Sequence, residues 1–260
     1  MTTATTVEGL RSELADGILR LTFSRPKRMN AIDLPTMRAL TDAITAAGTD
    51  ARVRTIVITG EGKAFCTGAD LVAGAANPQD PSVVMDATTV LMRAITQVSV
   101  PVIAAVNGPA AGVGVSIALV ADLTYAAESA YFLLSFVNIG LMPDGGASLL
   151  VPAAIGRARA AEMALLGERV GAADAERFGL VARTVPDDEF AAHVDKVAAH
   201  TARGPRRALE LTKRALNAAT LPILDDALTR EKEGQVELLT SADFAEGAMA
   251  MLEKRPAHFA

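Results

Sequence analysis

Cysteine is nearly absent. Cys66 is the only one in 260 residues, which leaves no partner for an intrachain disulfide and fits a reducing compartment, the cytoplasm. Histidine is scarce too. His193, His200 and His258 stand at no metal-ligand spacing, so they are expected at the surface and no metal centre is expected. A formal net charge of -5 provides no basic footprint, which argues against a nucleic-acid partner. Long apolar runs are missing as well. Val113 to Val120 is among the longest and falls well short of the ~20 residues that span a bilayer. The opening Met1 to Thr6 is polar and threonine-rich, with neither a basic nor an apolar leader segment, so no secretory signal and no membrane association are expected.

What is present is enough to build a core. Half the residues are hydrophobic (50%) and 21% are charged, which suits one large domain or a domain with an appended helical segment. Val7 to Leu14 and Gly17 to Phe23 read as strands joined at Ala15-Asp16-Gly17, an Asp-Gly hairpin signal. Asp33 is placed to cap a helix carrying Leu34, Met37, Leu40 and Ile44 on one face. Thr55 to Gly60 and Pro101 to Val106 read as buried strands. Val72 to Ser82, rich in small and polar residues, reads as a mobile flap. Val83 to Gln97 follows as a helix with Val84, Leu91 and Ile95 inward. Further on, Leu123 to Ala126 and Leu180 to Val185 read as strands, and Ala147 to Leu150, Ala158 to Leu166 and Ala172 to Phe178 as helical. Strand signals stop near Phe190, and helical patterns run through Ala191–Arg203, Pro205–Ala218, Ile223–Leu239 and Asp243–Lys254. The class is therefore α/β with a helical C-terminal region.

Two glycine-containing stretches do not read as scaffolding. One is Lys63-Ala64-Phe65-Cys66-Thr67-Gly68-Ala69-Asp70-Leu71. The other runs from Val102 through Asn107-Gly108-Pro109-Ala110-Ala111-Gly112-Val113-Gly114 to Ser116. Each follows an apolar strand, and the second enters a helix whose first N–H groups lack intrahelical partners. Glycine there lets a ligand oxygen approach the main chain. Two such turns facing each other form a pair of donors for one oxyanion.

Both stretches resemble the signature segments of the crotonase (enoyl-CoA hydratase/isomerase) family, and the likeness extends from Ser24-Arg25-Pro26 to Glu253-Lys254-Arg255-Pro256. The resemblance implies a spiral of ββα units over residues 1–195. It also implies a helical oligomerisation region over 196–260, giving a homotrimer or a dimer of trimers. The implied ligand is an acyl-CoA thioester, with coenzyme A part of the substrate and no separate cofactor. The backbone N–H groups of Ala69 and Val113 would be the oxyanion donors, with Gly68 and Gly112 beside them. Lys27, Arg28, Met29, Thr67 and Leu71 would contact the CoA moiety, and Lys254 a neighbouring subunit's CoA. Asp70 reads as a structural residue of the first loop.

Two glutamates that hold water in family hydratases are replaced here by Ser116 and Phe136, and Phe136 makes its side of the acyl pocket apolar. What remains is Asp144, in Gly140-Leu141-Met142-Pro143-Asp144-Gly145-Gly146, which looks like the isomerase branch, including the phenylacetate-pathway type. A lone carboxylate suffices to move a proton from C2 to C4 of a 3-enoyl thioester. The plainer role for Asp144 is a cap on the helix that follows. The rival functions are a weak enoyl-CoA hydratase using Asp144 alone and a non-catalytic acyl-CoA-binding protein. Cys66, with no histidine partner in sequence, reads as buried and inert.

Overall fold

The computed structural model describes residues 3–7 and 9–260, so Met1 and Thr2 of the polar opening and Glu8 of the first expected strand lie outside the described residues. Strands β1 (Thr3–Val7), β2 (Leu10–Ala15) and β3 (Ile18–Phe23) form an antiparallel meander, with Thr3 opposite Leu14 and Leu10 opposite Phe23. The sequence suggested one strand from Val7 to Leu14. The chain instead reverses near Gly9, whose φ is +86°.

Helix α1 (Leu34–Thr49) starts where expected. The Asp33 carboxylate accepts the Thr36 N–H at 2.9 Å, and Met37, Leu40 and Ile44 are buried. Strand β4 (Thr55–Gly60) pairs in parallel with β3. The expected flap is partly ordered as α2 (Leu71–Ala76), because Asp70 accepts the Ala73 N–H at 3.0 Å, and α3 (Pro81–Gln97) begins at a second cap, Asp80. Leu91 and Ile95 of α3 are buried; Val84 is half-buried. Next come β5 (Val102–Val106), the two-residue β6 (Ala110–Ala111), α4 (Val113–Val120), β7 (Leu123–Ala127) and β8 (Tyr131–Leu133).

Helix α5 (Ala147–Leu166) is broken at Gly156 (φ +76°), which explains why its two halves read as separate helices. It is followed by β9 (Arg169–Gly171), α6 (Ala172–Phe178) and β10 (Arg183–Val185), the last shorter than the strand expected from Leu180. Helices α7 (Asp187–Arg203), α8 (Arg206–Thr220), α9 (Leu224–Leu238) and α10 (Ala242–Glu253) complete the chain. The residue 195/196 boundary falls inside α7. Among the described residues no helix is long and apolar enough to cross a membrane.

One sheet has the order β1-β2-β3-β4-β5-β7-β10, parallel from β3 onward, and a small one has the order β6-β8-β9. Strands β4 and β5 are buried on both faces, as their unbroken apolar runs suggest. Ile56 and Ile58 face the main core with α1 and α3, whereas Val57 and Ile103 meet Phe190, Val194 and Ala198 of α7. His193 also lies on α7 and corrects the expectation of a surface residue. It is half-buried, with its ring 4.9 Å from that of Tyr125, whereas His200 and His258 are exposed.

Candidate active site

The two glycine turns leave the C-terminal ends of β4 and β5 and touch each other. A Cβ placed on Gly68 (φ +92°) would lie 3.1 Å from the Ala111 carbonyl oxygen, and one on Gly112 (φ +53°) would lie 3.4 Å from Gly68 Cα. The positive φ at both positions favours glycine, and at Gly68 the space is tight as well. Isolated bridges pair Ile32 with Ala69 and Cys66 with Ala110. Around the first bridge the bonds run from Ile32 N–H to the Gly68 carbonyl and from Asp70 N–H to the Ile32 carbonyl. The Ala69 N–H is thereby left on the other edge, toward the cavity that Ala69 lines. The Val113 N–H opens α4, where a helix has no carbonyl to offer it.

Two asparagines brace these turns from beneath. Buried Asn30 donates to the Glu61 and Ala64 carbonyls at 2.9 and 2.7 Å. Asn107 accepts the Gly60 N–H at 2.9 Å and donates to the Gly62 carbonyl at 3.0 Å. Asp70 is structural, as its position suggested. It caps α2 and holds Arg25 at 2.6 Å, and Arg25 reaches on to Asp33 at 3.1 Å. Burial pushes the Asp70 carboxyl up, but the Ala73 N–H, Arg25 and Arg28 together hold it below the usual range. Cys66 is sealed in the core, where burial drives its thiol up to about 12 against a bond from Gly68. It is inert at neutral pH.

A cavity of about 400 Å³ opens beside the turns and is lined by Thr67, Gly68, Ala69, Leu71, Gly112, Val113, Phe136 and Asp144. The rest of its wall is mostly apolar: Met37 from α1, Val84 and Met85 from α3, and Phe244, Ala250 and Met251 from α10. Asp144 is the only carboxylate among the described lining residues. Lys27 and Arg28 lie in a short 3-10 turn ending at Met29, outside that lining. The turn is joined to it by one hydrogen bond, from Thr67 Oγ1 to the Met29 carbonyl at 3.1 Å. Arg28 is itself drawn toward Asp70 at 3.4 Å. Lys254 is exposed at the end of α10 and is not part of the wall. Its neighbour Arg255 is, with a guanidinium held by Glu246 and Glu253.

Asp144 keeps part of its surface open to the cavity, while its Oδ1 is sealed and has no partner. Its side chain does not cap α5. That work is done by Glu231 of α9, which accepts the Gly146 N–H at 2.6 Å and the Ser148 N–H at 2.8 Å. One turn further along α9, Gln235 donates to Asp144 Oδ2 at 2.8 Å. From α4, Ser116 donates to the Asp144 carbonyl oxygen at 2.6 Å and so fixes the acid's backbone. Burial pushes the Asp144 carboxyl up to about 7; the Gln235 bond opposes this and the charge of Glu231 adds to it.

Sequence reasoning missed Glu231 and Gln235. The signal was present: Leu224, Ala227, Leu228, Glu231 and Gln235 share the buried face of α9, and two polar groups on an apolar stripe require buried partners.

A family model for enoyl-CoA hydratase/isomerase matches residues 13–260. Over 251 residues the chain is 45% identical to a Rhodobacter capsulatus protein named "Probable enoyl-CoA hydratase", covering 96% of this chain and 97% of that one. It is 35% identical over 258 residues to the 1,2-epoxyphenylacetyl-CoA isomerase of Escherichia coli K12, covering 97% and 98%. The crystal structure of an enoyl-CoA hydratase from Mycobacterium avium subsp. paratuberculosis superposes with a TM-score of 0.92 at 47% identity, covering 98% of this chain and all of that one. With its glycine turns, cavity and buried acid in view, the chain belongs to the enoyl-CoA hydratase/isomerase (crotonase) family of acyl-CoA enzymes.

Proposed function

We propose that the protein is a Δ3-Δ2-enoyl-CoA isomerase in which Ala69 and Val113 bind the thioester oxygen and Asp144 moves the proton. The observation that carries this reading is the pairing, in one apolar cavity, of two free-edged backbone amides with a single carboxylate. Ionised Asp144 removes a proton from C2 of the 3-enoyl thioester, and charge moves onto the carbonyl oxygen. The amides stabilise that charge more than the neutral carbonyl, each contributing ~10²–10³ in rate. The dipole of α4 adds to the Val113 donor. The same carboxyl returns the proton at C4, so the reaction needs no co-reactant and no cofactor. An acid with a pKa of about 7 is matched to taking and giving a proton at neutral pH.

Lys27, Arg28 and Met29 are assigned to the CoA chain, a reading supported by the bond from the cavity residue Thr67 to the Met29 carbonyl. Exposed Leu211, Leu216, Ile223, Met249 and Leu252 on or beside α8–α10 supply an apolar surface for the trimer, within which Lys254 is free to meet a neighbour's CoA. A sealed lone thiol suits the cytoplasm. The rival reading, a weak hydratase with water oriented by Asp144 alone, is favoured by the name of the Rhodobacter relative. Parallel incubation with a 3-enoyl-CoA and with crotonyl-CoA separates the two. We expect the first to gain the conjugated thioester absorbance and the second to keep it. Rapid loss from crotonyl-CoA would make the protein a hydratase, and saturable binding without change in either would make it a binding protein.

A further inference from the structure

Among the described residues only three buried side-chain polar atoms lack a hydrogen-bond partner, and two of them are Asp144 Oδ1 and Gln235 Oε1. They belong to side chains already joined by the bond from Gln235 Nε2 to Asp144 Oδ2 at 2.8 Å. Gln235 is 1% exposed, so water does not reach its amide oxygen. Two unpartnered acceptors on a carboxylate and an amide that are already bonded to each other in an apolar site are costly. One proton placed between them satisfies both. Exchanging the amide oxygen and nitrogen of Gln235 does not remove the need, because an amide oxygen against an ionised carboxylate oxygen is again two acceptors.

We propose that Gln235 is a positioning residue whose amide closes on Asp144 as a cyclic acid–amide pair. In it Gln235 Nε2–H donates to Asp144 Oδ2, and a proton carried on Asp144 Oδ1 is donated to Gln235 Oε1. The ligand-free enzyme therefore stores Asp144 as a neutral acid with a fixed orientation, and the reactive carboxylate appears as that proton is released to solvent. Its role in the reaction rests on the isomerase reading above; its existence does not.

The groups facing the pair agree. Glu231, one turn back on α9, contributes negative charge and disfavours a second ionised carboxylate beside it. Helix α3 presents Met85 and Thr88, and α4 presents the Ser116 hydroxyl, already committed to the Asp144 carbonyl. Arg255, past the end of α10, is the only cation among the described lining residues and is committed to Glu246 and Glu253. Arg230 acts on Glu231 rather than on Asp144. No counter-ion therefore competes with the proton.

The test is a difference infrared spectrum of ligand-free protein, wild type minus Asp144→Asn, taken from about pH 5 to about pH 9. We expect a carboxylic-acid carbonyl band that disappears as pH rises through about 7 and shifts in frequency in Gln235→Leu. In Gln235→Glu two carboxyl groups share the proton, so the acid limb of kcat/KM should move up by more than about one pH unit. A purely structural glutamine would move neither band nor limb. Absence of the band from wild type above about pH 5 overturns the proposal whether or not the variants fold, and so does an unshifted band in a folded Gln235→Leu protein. Because the infrared measurement uses no substrate, the pair can fail there while isomerisation stands, and the reverse.

Discussion

The wall that carries Ala69 and Val113 is made of turns that follow their own strands, and its key contacts are backbone to backbone. The wall that carries Asp144 is held from afar: Gln235 lies 91 residues along the chain and Glu231 lies 85 from the Gly146 amide it caps. The first wall is set by its backbone, since both glycines hold a positive φ that L-residues avoid and a Cβ on Gly68 would press on the Ala111 carbonyl. The second is set by buried polar side chains whose protonation and charge can change. One side of the cavity thus supplies a fixed electrostatic frame, and the other a group tuned by its neighbours.

The contrast can be broken at its strongest point first. Asp144→Asn keeps the shape and the acyl cavity but removes the base. We expect isomerisation to fall by ~10³-fold or more with KM changed only a few-fold, measured by steady-state kinetics on a 3-enoyl-CoA. On the first wall, Gly68→Ala forces a Cβ against the Ala111 carbonyl in a backbone conformation that L-residues avoid. We expect ~10²-fold lower kcat from a displaced amide, together with a lower melting temperature by scanning calorimetry. The two walls then differ in kind, since the first variant should melt no lower than wild type at neutral pH.

Glu231→Gln sharpens the tuned side. Removing its charge takes away a force that raises the Asp144 pKa, so the acid limb of kcat/KM should move to lower pH. The weakened hold on the Gly146 and Ser148 amides should cost about 1–2 kcal/mol in urea unfolding. The smallest effect expected is on the pH dependence of stability. Asp144 titrates at about 7 folded and near the ordinary carboxyl value of 3.8 unfolded. Between these values the folded state binds the extra proton, so this group's contribution is full at low pH and is lost as pH rises through about 7. Asp144→Asn should therefore gain stability relative to wild type at about pH 8 by roughly 1–2 kcal/mol, less at about pH 5, and little below about pH 4.

The same contrast explains what could be read in advance. Strands β4 and β5, the Asp33 cap, the glycine turns and the position of Asp144 all leave local marks in sequence, through apolar runs, turn residues and capping chemistry. Ala69, Val113 and Asp144 all line one cavity. Gln235 left only a polar break in the apolar stripe of α9, and its partner is fixed by tertiary packing. The strand Ala110–Ala111 is set by distant neighbours, Phe132 and Leu133 on one side and Cys66 on the other. His193 is half-buried because Tyr125 of β7 meets α7, a contact that no local pattern records. The Val72–Ser82 segment looked structureless because its helix is set by the cap from Asp70, just outside it.

The most direct measurement is exchange of the C2 proton of a bound acyl-CoA in heavy water, followed by mass spectrometry in wild type and Asp144→Asn. Proton removal against the two amides should incorporate deuterium in wild type, whereas the Asn variant binds the same thioester and incorporates none. Equal incorporation in both proteins, or none in either at saturating ligand, would contradict the assignment of Asp144 as the base.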